Sequence, residues 1–291
     1  MFQKIRPYIS HILVLALLVG AGVALFNRKI GQDQVKPKNV GEYAATSAMI
    51  SLTDKSSGGS GVVLRSSDQE SLILTNKHVC EVIQGGGSVT TLGKDYRVAA
   101  YKVYPKHDLC LVKVLSNLKV TTVVANTPAT MYSHAYVSGH PALLPHVVSE
   151  GYFSDRKTIE ILVDIKECNE EELLNNTMAC LFMGGTPIFK KFKAQFVTAH
   201  IMPGSSGSAV FNEQGEIAGL IFAGSSQGLS YGFMVPLEAI QDFIKNENQY
   251  KWRKPVAGAN AKFLAMIEKS IKIACTSNKL YSSYCSDNGQ E

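Results

Sequence analysis

Three features of the 291-residue chain predict an all-β fold, a sandwich or barrels. Short β-forming runs recur from Gly41 to about Asn248, separated by Gly, Ser, Asn and Asp. Hydrophobic residues make up 45% and charged ones only 18%, with 24 Gly and 10 Pro, which excludes disordered, collagenous and coiled-coil chains. No convincing amphipathic helix precedes Leu237. The net charge of +5 falls to +3 once Lys4 and Arg6 are set aside, too mild to imply a nucleic-acid partner.

In chain order, Ile12 to Phe26 comes first, an unbroken run of 15 residues without a polar side chain, behind Lys4 and Arg6. That length fits a secretory signal, with Val19-Gly20-Ala21 as a cleavage site. Extension back to Tyr8 gives 19 residues, enough for a membrane anchor. Segment 1–26 is therefore a signal peptide or signal anchor, the latter making the membrane a partner, and 27–41 a linker.

The strand candidates follow as SAMISLT, SGVVLR, SLILTN, YRVAAYKVY, CLVKVL, HAYVSG, HVVSEGYF, TIEILVDI, GEIAGLIFAG and LSYGFMVP. Leu237 to Asn246 then reads as a helix with Ile240, Phe243 and Ile244 on one face. Trp252 to Pro255 breaks it. Ala259 to Ile273 reads as a second short helix before a polar loop, so 249–291 forms a C-terminal extension.

Six cysteines fall in sequence as Cys80 and Cys110, Cys168 and Cys180, Cys275 and Cys285. Fifteen pairings are possible, and neighbour pairing is one of them. Without C-x-x-C, or a histidine near the last four, zinc is a poor alternative, and no metal or cofactor is expected. Arg28, Lys29, Lys36 and Lys38 outnumber the leader's charges and by the positive-inside rule favour a cytoplasmic body. The cysteines argue for an extracytoplasmic one, periplasmic, surface-bound or luminal, and are given more weight. Cys80 lies two residues after His78 and Cys110 two after Asp108. A disulfide there would pin those two residues together, and two buried thiols are the competing arrangement.

The sharpest chemical signal is P-G-S-S-G-S at Pro203 to Ser208. Such a turn exposes a serine hydroxyl and aims the N–H groups of Gly204 and Ser206 at one point, where an oxyanion can sit. A serine nucleophile needs a base, and the base a carboxylate to fix its tautomer. His78 follows the apolar run Leu72-Ile73-Leu74, and Asp108 opens another, so the order His78, Asp108, Ser206 supplies all three roles.

These residues resemble the trypsin-like serine peptidases, most closely the HtrA (DegP-like) type, in five blocks from about Ser60 to Ile244. The blocks are S-G-V-V-L with S-L-I-L-T-N-K-H-V, then D-L-C-L-V-K-V, then V-S-G-H-P-A-L-L-P-H-V-V-S-E-G. M-P-G-S-S-G-S-A-V-F-N-E-Q-G-E-I-A-G-L and Y-G-F-M-V-P-L-E-A-I complete the set. The resemblance implies two six-stranded barrels of the chymotrypsin type at about 42–125 and 130–248, together the peptidase domain 42–248. It implies Ser206 as nucleophile, His78 as general base and acid, Asp108 as orienter, and the N–H groups of Gly204 and Ser206 as oxyanion donors. The expected activity is a serine endopeptidase with protein or peptide substrates. The competing class is a silent module of the same fold that binds peptides or acts as a scaffold.

The sequence departs from the family at Ser208 and Ala209, where most members carry Gly and Pro, and at Ser205, where digestive members carry an Asp that pairs with a new N-terminus. No PDZ-like module is expected after Asn248. Asp155 to Phe196, longer than usual, is expected to be a surface insertion. By the family pattern His200, Ile201 and Met202 border the specificity pocket, with Ile221, Phe222, Ala223 and Gly224 as the facing wall. None is acidic, which disfavours Lys or Arg before the cut bond and favours Val, Leu, Ala or Met; His200 offers a competing preference for Glu or Asp in acid. Gly224-Ser225-Ser226-Gln227-Gly228 mimics the G-x-S-x-G elbow of α/β-hydrolases, but it leads toward a strand-like run and no histidine follows His200.

Overall fold

The computed structural model describes residues 34–35, 37–166, 186–224 and 231–261. The apolar segment at 12–26, Cys168, Cys180, Cys275, Cys285 and the mimic serine Ser226 lie outside them. Among the described residues, no helix is long and apolar enough to cross a membrane.

A two-residue strand β1 (Gln34–Val35) and a short helix α1 (Val40–Thr46) lead into β2 (Ser47–Ser51), β3 (Gly58–Ser66) and β4 (Ser71–Thr75). Helix α2 (Lys77–Val82) precedes β5 (Ser88–Thr91), β6 (Lys94–Tyr104), β7 (Leu109–Val114) and β8 (Thr121–Thr122). Strands β2-β3-β4-β7-β6-β5 close into one six-stranded barrel, while β1 pairs with β8 outside it. The second barrel uses β9 (His134–Gly139), β10 (Val147–Lys166), β11 (Thr186–Val197), β12 (Ala209–Phe211), β13 (Ile217–Gly224) and β14 (Gly232–Pro236). They close in the order β10-β11-β14-β13-β12-β9, and helix α3 (Leu237–Lys245) follows. The chain therefore has the two six-stranded barrels that its sequence predicts.

The near-continuous apolar runs of β3, β4 and β7 have a direct cause. Val63, Ile73, Cys110 and Val112 point into the first barrel, while Val62, Leu64, Leu74, Leu109 and Leu111 point out of it into a second cluster. That second cluster is the seam between the barrels. From the far side it receives Ala209, Phe211, Ile217, Leu220 and Val235, and from α3 it receives Ile240 and Phe243. A strand buried on both faces has no polar alternation to show. In β13 the parity shifts, with Leu220 facing the seam and Ile221 the second barrel's interior.

Several elements differ from expectation. HVVSEGYF and TIEILVDI are one strand, β10, irregular between Phe153 and Arg156. The flanks of the expected insertion are barrel strands, paired from Phe153 with Val197 to Lys166 with Thr186. A long hairpin satisfies its backbone internally, so it reads as an insertion only where the pattern lacks a buried face. Helices α1 and α2 precede Leu237, each too short for its periodicity to register. In α1 the Asn39 carboxamide oxygen accepts the Glu42 N–H at 3.1 Å, and the Glu42 carboxylate accepts the Lys38 N–H at 2.8 Å, a cap of reciprocal type.

After α3 the chain returns to the first barrel as a strap. Tyr101 and Arg253 exchange both backbone hydrogen bonds at 2.9 and 2.8 Å, the Val256 N–H reaches the Gln84 carbonyl at 2.8 Å, and the Asn260 amide donates to the Val82 carbonyl at 2.8 Å. Trp252 lies in this strap under two ammonium groups, Lys102 Nζ at 4.4 Å and Lys113 Nζ at 4.6 Å from its ring centre. Burial, opposed by Glu247 and aided by Arg65 and Lys113, holds the Lys102 ammonium below the usual lysine range.

Phe243 is fully buried and stacks on Tyr104 of β6 at 5.0 Å, so it joins α3 to the first barrel. Truncating such a ring removes both its transfer free energy and its packing. Phe243→Ala is expected to lower stability by about 3–5 kcal/mol, measured by denaturant unfolding, whereas Val256→Ser, at a side chain 64% exposed, is expected to be nearly neutral.

Candidate active site

His78 sits in the first turn of α2, at the rim of the first barrel, where β4 ends. Helix α2 has no side-chain cap from Asn76, its N-cap residue. The cap comes from Asp108, just before β7: its Oδ1 accepts the His78 backbone N–H at 3.1 Å, while Oδ2 meets the His78 ring at Nδ1, 2.7 Å away. The Asn76 amide in turn donates to the Asp108 carbonyl at 2.8 Å. A carboxylate accepts only, so Nδ1 carries the proton and Nε2 is the ring nitrogen that can take another.

Burial alone would raise Asp108, but the His78 charge and hydrogen bond, with the N–H groups of His78 and Lys77, hold it below the usual carboxylate range. Burial likewise pulls His78 down, and the charge and hydrogen bond of Asp108 outweigh it, so His78 stays above its ordinary 6.5. The disulfide Cys80–Cys110 joins α2 to β7 directly behind the pair.

Ser206 belongs to the turn between Ile201 and β12, on the second barrel. The seam brings it to α2: a Cβ built on Gly59 would lie 2.7 Å from the Ser206 carbonyl oxygen and 2.7 Å from Val79 Cγ2, the residue after His78. Gly204 and Gly207 adopt φ of +87° and +89°, a region that penalises any side chain. The Ser205 hydroxyl accepts the Met202 N–H at 3.2 Å, so this side chain is used inside the turn. Ser208, buried, continues into β12: its N–H donates to the Ser205 carbonyl and its carbonyl accepts the Ile221 N–H, each at 2.9 Å.

A second turn braces the first. The Pro203 carbonyl accepts the Ala142 N–H at 2.6 Å. Because a trans peptide sets its N–H opposite its C=O, that bond turns the Gly204 N–H away from Ala142, as an oxyanion donor requires. Ala142 and Leu143 hold φ of +52° and +54° to make this approach, a conformation that costs non-glycine residues about 1–2 kcal/mol each. His140 Nδ1 donates to the Leu144 carbonyl at 3.1 Å, and burial keeps this imidazole below its ordinary range.

Of the residues expected to border a specificity pocket, His200 and Met202 are exposed, and Gly224 is exposed on β13. Ile201 turns inward with Ile221 in the second barrel's cluster. Its side chain lies against both Gly224 and Gly232: a Cβ on either would stand 2.9 or 2.8 Å from Ile201 carbons. Phe222 alternates to the other face and packs on Phe233 at 6.5 Å, with Ala223 partly buried after it. Asn76, Ala142 and Ser60, which contact these groups, were not singled out by sequence. Asn76 carries a local signal, as an Asn directly before a helix start.

The family model described as the trypsin-like peptidase domain matches residues 59–220. A putative serine protease, HhoB, of Synechocystis sp. is 28% identical over 65% of this chain and 39% of its own length. A serine protease HtrA-like protein of Staphylococcus aureus is 26% identical over 72% of this chain and 26% of its own. The chain thus spans well under half the length of these curated relatives. Among solved structures, the M. tuberculosis protease Rv3671c in its active form aligns with a TM-score of 0.56 at 18% identity, covering 76% of this chain and 86% of that one, a likeness of fold.

Two measurements check this geometry. The disulfide closes a separation of 30 residues, so replacing Cys80 and Cys110 with Ala is expected to cost about 3.6 kcal/mol by the chain-entropy model. Unfolding with and without reductant reads it, and equal midpoints would contradict it. The ion pair links stability to pH with a definite sign. His78 contributes below its unfolded value of 6.5 and loses that contribution as pH rises through its higher folded value. Asp108 contributes above 3.8 and loses it as pH falls through its lower folded value. The pair is therefore worth most between the two unfolded values, 3.8 and 6.5, and Asp108→Asn is expected to lower the His78 titration midpoint seen by NMR.

Proposed function

Because the chain belongs to the trypsin-like peptidase family, we propose that it is a serine endopeptidase in which Ser206 attacks the peptide carbonyl. His78 Nε2 takes the serine proton and later delivers it to the leaving amine, while Asp108 holds the imidazole in the right tautomer and stabilises the imidazolium. The N–H groups of Gly204 and Ser206 receive the oxyanion of the tetrahedral intermediate. The observation that carries this reading is the 2.7 Å His78–Asp108 pair standing beside the Ser206 turn.

The same reading assigns the pocket to His200, Ile201, Met202 and the 221–224 strand. With Ile201 filling the space beside Gly224 and Gly232, the pocket is shallow and apolar and favours Ala or Val before the cut bond. Basic residues have no carboxylate there to pair with. The Cys80–Cys110 disulfide supports an oxidising, extracytoplasmic setting, with the 12–26 segment as export signal or anchor.

A fluorophosphonate probe is expected to label wild-type protein at Ser206, and Ser206→Ala is expected to lose both labelling and cleavage, with turnover down by about 10⁶. Ser226→Ala is expected to retain both. Folded wild-type protein that takes no label would favour a silent binding module. A peptide library is expected to show cleavage after small apolar residues, and dominant cleavage after Lys or Arg would contradict the pocket assignment.

A further inference from the structure

Ser60 is fully buried near the start of β3, and it reaches across the seam with both its backbone and its side chain. Its N–H donates to the Ser206 carbonyl at 2.7 Å. Its hydroxyl donates to the Gly204 carbonyl at 2.8 Å and accepts the His140 N–H at 2.8 Å. Its own carbonyl accepts the Thr75 hydroxyl at 2.7 Å, which fixes it to β4.

The turn's carbonyls are therefore anchored on two sides. Pro203 is held by Ala142, and Gly204 and Ser206 are held by Ser60. Each anchored carbonyl restricts rotation of its planar peptide, and the Gly204 residue is fixed by the peptides on both its flanks. The hydroxyl also reaches His140, two residues before Ala142, so one side chain spans the nucleophile turn and the turn that braces it.

We propose that the Ser60 hydroxyl is a positioning residue for catalysis: it holds the Gly204–Ser205 peptide, which lies between the two peptides that carry the Gly204 and Ser206 N–H groups, so that both donors stay aimed at the developing oxyanion. It touches no substrate and acts through Gly204 and His140. The proposal rests on the reading of Ser206 as nucleophile and Gly204 as donor. A donor already fixed in place costs nothing to reorient during reaction, whereas a peptide free to rotate must be ordered each time. Removing the hydroxyl leaves the partly buried Gly204 carbonyl and the buried His140 N–H without this partner, and rotation of the Gly204–Ser205 peptide relieves one of them.

The test is Ser60→Ala in the full chain. Loss of a whole oxyanion donor costs about 10²–10³ in turnover, so loss of its positioning is expected to lower kcat by about 10- to 100-fold with KM changed by less than about twofold. Affinity for a peptide boronic acid, which forms a tetrahedral adduct on the nucleophile, is expected to fall by the same factor as kcat/KM. A crystal structure of the variant is expected to show the Gly204 carbonyl rotated away from β3. Wild-type kcat and boronate affinity with an unmoved Gly204 would overturn the proposal. So would a chain that circular dichroism shows not to fold, since Ser60 would then belong to the fold alone. Absence of probe labelling at Ser206 in wild-type protein would instead sink the nucleophile reading, and the variant's crystal structure would still decide whether Ser60 holds Gly204.

Discussion

The apolar seam between the barrels is the constraint that sets everything polar around it. Leu64, Leu74, Leu109 and Leu111 on one side and Phe211, Ile217 and Leu220 on the other leave no room for sliding, because interiors pack as densely as organic crystals. The distance between α2 and the 203–208 turn is thus fixed by side chains that take no part in chemistry. Residues carried on two barrels packed in this way need no loop closure to bring them together.

Burial makes the polar groups at the edge of the seam costly unless each is matched, and the matches here cross from one element to another. Asp108 caps a helix that it does not belong to, Asn76 holds the backbone of Asp108, and Ser60 ties β3 to two turns of the opposite barrel. His146 follows the same logic beside His140, their ring centres 5.9 Å apart. It meets the Ser138 hydroxyl at 2.9 Å, and burial, helped by the neighbouring His140, takes it down to about 4, so it stays neutral through mildly acidic conditions.

How much of this was legible in the sequence follows from the range of each interaction. His78 and Asp108 are legible because each flanks an apolar run, Ser206 because it lies in a Gly/Ser-rich turn, and the all-β fold because short β-forming runs recur between turn residues. Helix α2 escaped notice because its cap lies 30 residues away in Asp108, beyond any local pattern. Strand β12, with three residues, is too short to alternate. Ser60 reads locally as one more small residue in a Gly-rich stretch, and its role exists only once Gly204 and His140 arrive from the other barrel. Ile201 could be assigned to a pocket rim by spacing, yet its turn inward depends on the two glycines that leave space for it.

Trp252 is the chain's only tryptophan, and it sits in the strap that returns from α3 to β6, partly buried against the edge of the seam cluster. Its indole emission therefore reports on one local event, the docking of that strap beneath Lys102 and Lys113, while far-ultraviolet dichroism reports on the strands. The ammonium groups at 4.4 and 4.6 Å stabilise the ring's electron-rich face and shift its spectrum from that of an indole in water. A fluorescence transition that runs ahead of the dichroism would be the strap lifting from an intact pair of barrels. This protein thus carries its own optical marker for opening of the segment that ties its last helix to its first barrel.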